Sequence, residues 1–421
     1  MIVNKDLAGC TMLLQFRFKN YKSFAEEAVL DLTATSIREH VNSLIEKNGN
    51  KVLPIAAIFG ANASGKSNIF SAFFSMGRDV VAVYEKKENH YLITPYIFSK
   101  TTEKEPTEYE VSINIDDKEY RYGFVRNQSQ VFDEWLYTKK FSKGTKSKEK
   151  MIFYRNNRKV TVGKLNQTEK KELEYLGSMI NDNELLLTAV GRREKSEYRN
   201  VYEWFSLTCL NQDFSDDSNE KWSTKLIAEF LYKREKNKKD VEELLRKFDS
   251  SIVRLEILPE KDADLNEKYV VYSYHLDDKG NVIQLPFESE SSGTKKLFAL
   301  AALLFISLYN GLVLWVDELD AKLHPLILRY IIALYGNRQV NTGDGQLIFS
   351  SHNLVCLDSS DLRRDEIWFV EKVNQVSNLY SLYDFKEDEV LVRSDLSFGK
   401  HYLSGRFGAI PFQDEENDNG G

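Results

Sequence analysis

The chain has 421 residues, 42% hydrophobic and 12% aromatic, enough to bury a large core and to divide into two or three lobes. A net charge of -7 argues against a generally cationic coat for nucleic acid, although it leaves room for a local basic groove. Cys10, Cys209 and Cys356 stand at no metal-ligand spacing and form no even framework, which excludes a disulfide scaffold and suggests a reducing cytoplasm.

From Met1 to Leu14 there is no basic region followed by an apolar run, so no secretion signal is expected, and Met12 is an alternative start to Met1. Between Leu13 and Leu32, alternation in Leu14-Gln15-Phe16-Arg17-Phe18 and again in Ala28-Val29-Leu30-Asp31-Leu32 predicts two paired strands opening a sheet edge. A polar loop from Arg38 to Lys51 precedes a strand over Leu53 to Phe59. The next eight residues, Gly60-Ala61-Asn62-Ala63-Ser64-Gly65-Lys66-Ser67, have the spacing of a phosphate-binding loop opening a helix from about Ser67 to Tyr84. Gly60 and Gly65 admit backbone conformations that a Cβ forbids, so successive amides and the helix N-terminus converge on phosphate oxygens. The expected nucleotide-binding set is Gly60, Asn62, Ala63, Ser64, Gly65, Lys66, Ser67 and Asn68. Lys66 reaches the β and γ phosphates, and the Ser67 hydroxyl holds Mg²⁺, a cation that prefers oxygen ligands.

Tyr96 to Phe98, Glu108 to Ile115, Glu119 to Arg126, Val131 to Lys139 and Met151 to Tyr154 read as short, mostly antiparallel strands of a β-rich lobe. Lys139 to Lys159 holds nine Lys or Arg against the single acid Glu149. That stretch is either a solvated hairpin tip or a contact for phosphates such as those of DNA. Thr168 to Phe248 carries helical spacing, as in Leu173-Leu176-Ile180 and Leu226-Phe230, without a sustained heptad, and predicts a helical insertion. Strands return at Ile252 to Leu258, Tyr269 to Leu276 and Val282 to Phe287.

Glu290-Ser291-Ser292-Gly293-Thr294 then opens an apolar helix, offering a hydroxyl, amides and a positive helix end to an anion. The twenty mostly apolar residues from Leu297 to Val316 are long enough to cross a bilayer, but Asn310-Gly311 divides them into a buried helix and a buried strand, so no membrane span is expected. That strand, Leu312 to Val316, delivers Asp317 and Glu318 at its end. Asp317 is suited to orienting the water shell of Mg²⁺ and Glu318 to polarising the attacking water. A final strand, Gln346 to Phe349, ends in Ser350-Ser351-His352-Asn353 and places the His352 imidazole toward the γ-phosphate.

The ordered set GANASGKS, SSGTKK, LVLWVDE, LDAKLHP and SSHN resembles the ABC-type ATPases of the SMC, RecF and OLD branch. Phe18-Lys19-Asn20-Tyr21-Lys22-Ser23-Phe24 looks like the opening motif of that branch, and Tyr402 to Pro411 is similar to the C-terminal element of RloA-like ATPases of phage-defence and restriction loci. By this resemblance Lys22 approaches the nucleotide, Ser291 and Gly293 are signature residues completing the site of a second subunit, Asp320 belongs to the D-loop and His352 is the switch histidine. Ser292 stands where transporters usually carry glycine, and Gln128 and Gln130 are the candidates for a glutamine loop. The tail after His352 leaves no space for the TOPRIM domain of OLD nucleases, so Asp358, Asp361, Asp365 and Glu366 are expected to be surface charges.

These readings converge on an α/β P-loop NTPase of ABC-ATPase type with a β-rich lobe and a helical insertion. The expected division is residues 12–165 for the N-terminal part of the head, 166–250 for the insertion, 251–385 for the C-terminal part and 386–421 for a terminal element and acidic tail. The expected activity is hydrolysis of ATP to ADP and phosphate with Mg²⁺, in a head-to-tail homodimer in the cytoplasm. The resemblance implies an antiviral switch controlling a separately encoded nuclease or toxic effector in response to DNA or a phage protein. The rival readings are a DNA-binding repair or maintenance ATPase and a transporter subunit.

Overall fold

The computed structural model describes residues 11–81, 94–141, 147–193, 198–207, 209–213, 224–261, 267–321, 323–357, 360–387, 390–391 and 397–409. The alternating segment becomes β1 (Thr11–Lys19), paired antiparallel with β2 (Ala28–Asp31). A small hairpin, β3 (Ile45–Lys47) and β4 (Asn50–Val52), leads to β5 (Ile55–Phe59) and the helix α1 (Lys66–Val81). Next come β6 (Thr107–Ile115), β7 (Lys118–Arg126), β8 (Val131–Lys140), β9 (Lys150–Asn156) and β10 (Lys159–Val162). With β1 and β2 they form a seven-stranded sheet in the order β10-β9-β8-β7-β6-β1-β2, the expected β-rich lobe, with β2 at its edge.

Tyr96–Phe98 is not one of its strands. Instead the Tyr96 amide donates to the Asn20 side chain, whose NH₂ also bonds the Thr102 and Glu105 carbonyls, so this segment is pinned as a loop by side-chain hydrogen bonds.

The insertion contains α2 (Gln167–Met179), α3 (Leu186–Gly191), α4 (Arg199–Leu207), α5 (Thr224–Tyr232) and α6 (Glu235–Phe248). It is not wholly helical. Between α4 and α5 runs β11 (Cys209–Asp213), which joins the central sheet. Then follow β12 (Arg254–Lys261), β13 (Glu267–Leu276) and β14 (Val282–Pro286), a three-stranded antiparallel sheet. The remaining elements are α7 (Ser292–Asn310), β15 (Val313–Asp317), α8 (Pro325–Gly336), β16 (Gln346–Ser350), β17 (Ile367–Val373), β18 (Val376–Ser381), β19 (Lys386–Glu387), β20 (Val390–Leu391) and α9 (Phe398–Leu403). Gly311 ends α7 in the left-handed conformation, at φ 67°, as the Asn310-Gly311 signal predicts.

The central sheet has the order β11-β15-β16-β5-β17-β18, parallel except for β18. β16 is therefore not the last strand. β17 pairs with the other side of β5, which surrounds the strand carrying the phosphate loop. The period-two alternation of side chains divides the core between the two faces. Ala57, Phe59, Leu314, Val316, Leu347 and Phe349 face α5 to α8, while Ile58, Val313, Trp315 and Ile348 face α1 and the β-rich lobe. There Trp315 stacks on Phe73 of α1 with ring centroids 4.1 Å apart, a pairing that contributes about 0.5–1.5 kcal/mol beyond area burial. α7 is the one described helix long and apolar enough to cross a membrane, and its apolar residues are packed in the first of these cores.

The acids after His352 differ from expectation. Asp365 and Glu366 are buried, not surface charges: Arg363 holds Asp365 through two bonds of 2.8 Å, and Glu366 accepts from the Arg363 amide. Asp361 pairs with Arg329, and Asp358 lies outside the described residues. A buried carboxylate needs such partners, and Asp365 also accepts the amide and hydroxyl of Thr35, 330 residues away in sequence.

Candidate functional site

β5, β15 and β16 end side by side, and the loops leaving their C-terminal ends meet around one cleft of about 420 Å³. Its lining is Asn62, Ala63, Ser64, Gly65, Lys66, Ser67 and Asn68 from the first loop, Glu318 from the second and His352 from the third. Parallel strands place their C-terminal ends on one edge, which is why residues so far apart in sequence converge here.

Lys66 turns its ammonium back onto the loop, donating to the carbonyls of Gly60 at 2.8 Å and Ala61 at 3.0 Å. Burial pulls its pKa down to about 8, opposed by the negative charges of Asp317, Glu318 and Asp320. The Ser64 hydroxyl is buried without a hydrogen-bond partner. An orphaned hydroxyl and a desolvated ammonium beside a row of loop amides fit an anionic ligand such as a phosphate chain.

Asp317 ends β15 and is 7% exposed. Ser350, at the end of β16, donates its hydroxyl proton to the Asp317 carboxylate and accepts the Glu318 amide at 2.7 Å. This single hydroxyl holds both acidic residues in register. Glu318 itself takes a left-handed φ of 51°, a conformation uncommon for a residue with a long side chain and one that concentrates at functional sites.

His352 is pushed below the ordinary imidazole pKa, first by burial and then by the Lys66 charge, which favours the neutral ring with one donor and one acceptor nitrogen. Its backbone amide donates to both carboxylate oxygens of Asp320 at 3.2–3.3 Å, tying the loop after β15 to the histidine within the same chain.

An all-oxygen pair, the Ser67 hydroxyl and the Asp317 carboxylate, suits Mg²⁺, which takes few protein ligands and completes its shell with waters and phosphate oxygens. The described residues contain no cluster of three or more His, Cys, Asp or Glu able to hold a metal alone.

Other expected site residues lie elsewhere. Lys22 donates to Ser71 at 2.8 Å on the second turn of α1 and does not line the cleft. Ser291 caps α7, its hydroxyl accepting the Thr294 amide at 3.0 Å, with Gly293 in the first turn; neither belongs to the cleft of its own chain. Gln128 and Gln130 sit between β7 and β8, away from the cleft. In the basic stretch, Lys139 pairs with Glu119 and Glu149 with Arg121, while Arg155 is buried against the Glu184 and Asn157 carbonyls; residues 142–146 lie outside the described residues.

Sequence reasoning missed Ser350, visible only as part of the SSHN run, and Ser377 on β18, which carries no motif and whose hydroxyl donates to the Ser64 carbonyl of the loop at 2.5 Å. It also missed the contact of Ala409, whose carbonyl accepts the Ala61 amide at 3.1 Å and ties the C-terminal element to the phosphate loop.

No curated protein matches the chain. Among solved structures, an SMC head bound to the C-terminal winged-helix domain of ScpA is 15% identical, covering 88% of this chain and 97% of its own, at TM-score 0.42. An SMC head with an extended coiled coil, bound to the C-terminal domain of ScpA from Pyrococcus furiosus, is 15% identical over 88% and 96%, at TM-score 0.47. The SMC head domain from Thermotoga maritima is 13% identical over 88% and 98%, at TM-score 0.39. The topology sets the Gly60–Ser67 loop at the C-terminal end of β5, inside a mostly parallel sheet flanked by an antiparallel β lobe and a largely helical insertion, a mixed α/β fold. The model of the family described as "AAA domain, putative AbiEii toxin, Type IV TA system" matches residues 55–358, from β5 through the loop after β16, and the chain belongs to that family.

Proposed function

We propose that this protein is an ATP-hydrolysing molecular switch, in which ATP·Mg²⁺ binds the cleft, closes two copies head to tail, and is hydrolysed to ADP and phosphate. The observation that carries this reading is the convergence of Lys66, Glu318 and His352 on one cleft, with the Asp317 charge acting on the Lys66 ammonium. Loop amides and Lys66 hold the phosphates. Ser67 and Asp317 would hold Mg²⁺, which when bound would supply positive charge against the phosphate oxygens. Glu318 accepts a proton from the attacking water, and His352, neutral and tethered through its amide to Asp320, donates to the γ-phosphate oxygens. In the closed dimer Ser291 and Gly293 of one copy complete the cleft of the other. Membership of a family described as a putative AbiEii toxin of a Type IV TA system supports an antiviral context; in this reading the protein is a cytoplasmic RloA-like ATPase acting on a separately encoded nuclease or toxin.

The test is phosphate release. Glu318→Gln keeps the phosphate contacts and loses the base, so it should bind ATP as the wild type does while turnover falls by about 10²–10⁴-fold. Undiminished hydrolysis by Glu318→Gln removes Glu318 from the mechanism.

A further inference from the structure

At the turn from the phosphate loop into α1, Gly65 has φ 112°, and two hydroxyls fill the space a side chain would need. A Cβ there would lie 2.5 Å from Ser377 Oγ and 2.7 Å from Ser23 Oγ. Those serines are 354 residues apart in sequence, one just after β1 and the other on β18, yet their hydroxyls are 2.7 Å from each other. The Ser377 amide also donates to the Ser23 carbonyl at 2.8 Å, so the two backbones are joined as well.

A hydroxyl has one proton to give, which orders the chain of bonds. Ser377 Oγ donates to the Ser64 carbonyl at 2.5 Å, Ser23 Oγ donates to Ser377 Oγ, and the Asn68 side-chain NH₂ donates to Ser23 Oγ at 2.7 Å. Ser377, Ser23 and Ser64 are all buried, so no water competes for these bonds.

We propose that Ser377 and Ser23 are positioning residues that set the Ser64–Gly65 peptide in its phosphate-binding orientation. The peptide unit is planar and trans, so its C=O and N–H point in opposite directions. Drawing the Ser64 carbonyl outward to Ser377 turns the Gly65 N–H inward to the cleft, where it meets a phosphate oxygen. A peptide next to glycine is otherwise free to rotate, and the rotated form would present a carbonyl to the phosphate and replace attraction by repulsion. The β17–β18 hairpin thus reaches around β5 and adjusts the loop from behind. This inference rests on the reading of the cleft as an ATP site.

The experiment uses the full chain in a Glu318→Gln background, measuring ATP·Mg²⁺ affinity and the melting temperature without nucleotide. Ser377→Ala should weaken ATP binding about tenfold, and Ser23→Ala about threefold, because the Ser377 donation survives the second change. Ser377→Thr, which keeps the hydroxyl, should recover most of the affinity. With Glu318 restored, Ser377→Ala should raise KM and leave kcat at saturating ATP within about twofold. Unchanged affinity in Ser377→Ala overturns the positioning role, as does a loss matched by nucleotide-free unfolding and not recovered by threonine. Failure of the unsubstituted Glu318→Gln chain to bind ATP is a different result, and it overturns the ATP-site reading together with this one.

Discussion

At the scale of the residue, the site is set by groups held against their ordinary preference. Lys66 is charged in a place where burial lowers its pKa to about 8, and a bound phosphate would raise it again. The sign follows by linkage: below pH 8 the ammonium is charged with or without nucleotide, and binding is indifferent to pH on this account. Above pH 8 the free site has lost the proton that the bound site retains, so binding must take one up. ATP affinity of Glu318→Gln should therefore fall as pH rises from 8 toward 9.5, approaching tenfold per pH unit, with proton uptake visible by calorimetry in buffers of different ionisation enthalpy. A flat profile over that range would show that Lys66 is not the titrating phosphate ligand.

Among the elements, the insertion divides at β11 into two parts with different anchors. α2 to α4 pack beside α1 and the β-rich lobe, and α5 and α6 beside α7 and the β12–β14 sheet. The first part is fixed by Glu134 of β8, fully buried, whose carboxylate accepts the Leu186 and Leu187 amides at 2.7 and 2.9 Å and the Tyr122 hydroxyl at 3.0 Å, with Arg155 at 3.7 Å. It serves as the partner of the first free amides of α3. Glu134→Ala strands those amides and the Arg155 charge, at a cost of about 3–5 kcal/mol. Limited proteolysis should then cut within 180–193 before the sheet core, and thermal melting should begin earlier. A variant that melts and digests as the wild type does would mean that α3 is held by its apolar contacts alone.

For the whole molecule, Ser291 is the informative position. Ser291 is exposed at the start of α7, where its hydroxyl caps the helix at the Thr294 amide and also meets the Thr294 hydroxyl at 2.9 Å. Shared sites predict that Glu318→Gln with ATP·Mg²⁺ gains mass in solution and that adding Ser291→Arg abolishes the gain. Since losing the cap costs about 1 kcal/mol, Ser291→Asp separates the two roles: it keeps a capping oxygen and sets a negative charge toward the partner's phosphate. It should melt as the parent does and fail to assemble. Assembly that ignores nucleotide and both substitutions would leave Ser291 as a helix cap only.

The sequence alone determined the elements that depend on local spacing. The Gly60–Ser67 loop between β5 and α1 was legible because its glycines, lysine and serine stand at the fixed separations that a phosphate-binding loop needs. Asp317 and Glu318 were legible because an apolar strand ending in two acids is a local pattern, and α7 because Asn310-Gly311 interrupts its apolar run. What lay beyond local spacing came only with the tertiary structure. β11 is short and set among helical patterns, so its strand character comes from pairing with β15. Asp365 and Glu366 carry nothing in their own spacing that reports burial. The Ser23–Ser377 bond joins positions 354 residues apart through single hydroxyls, without periodicity or motif. Ser350 and the left-handed φ of Glu318 likewise exist only where β15 and β16 lie side by side. Local spacing records what one segment needs from its own backbone, whereas the contacts that aim a site depend on which strands become neighbours, and that is decided when the whole sheet closes its two cores.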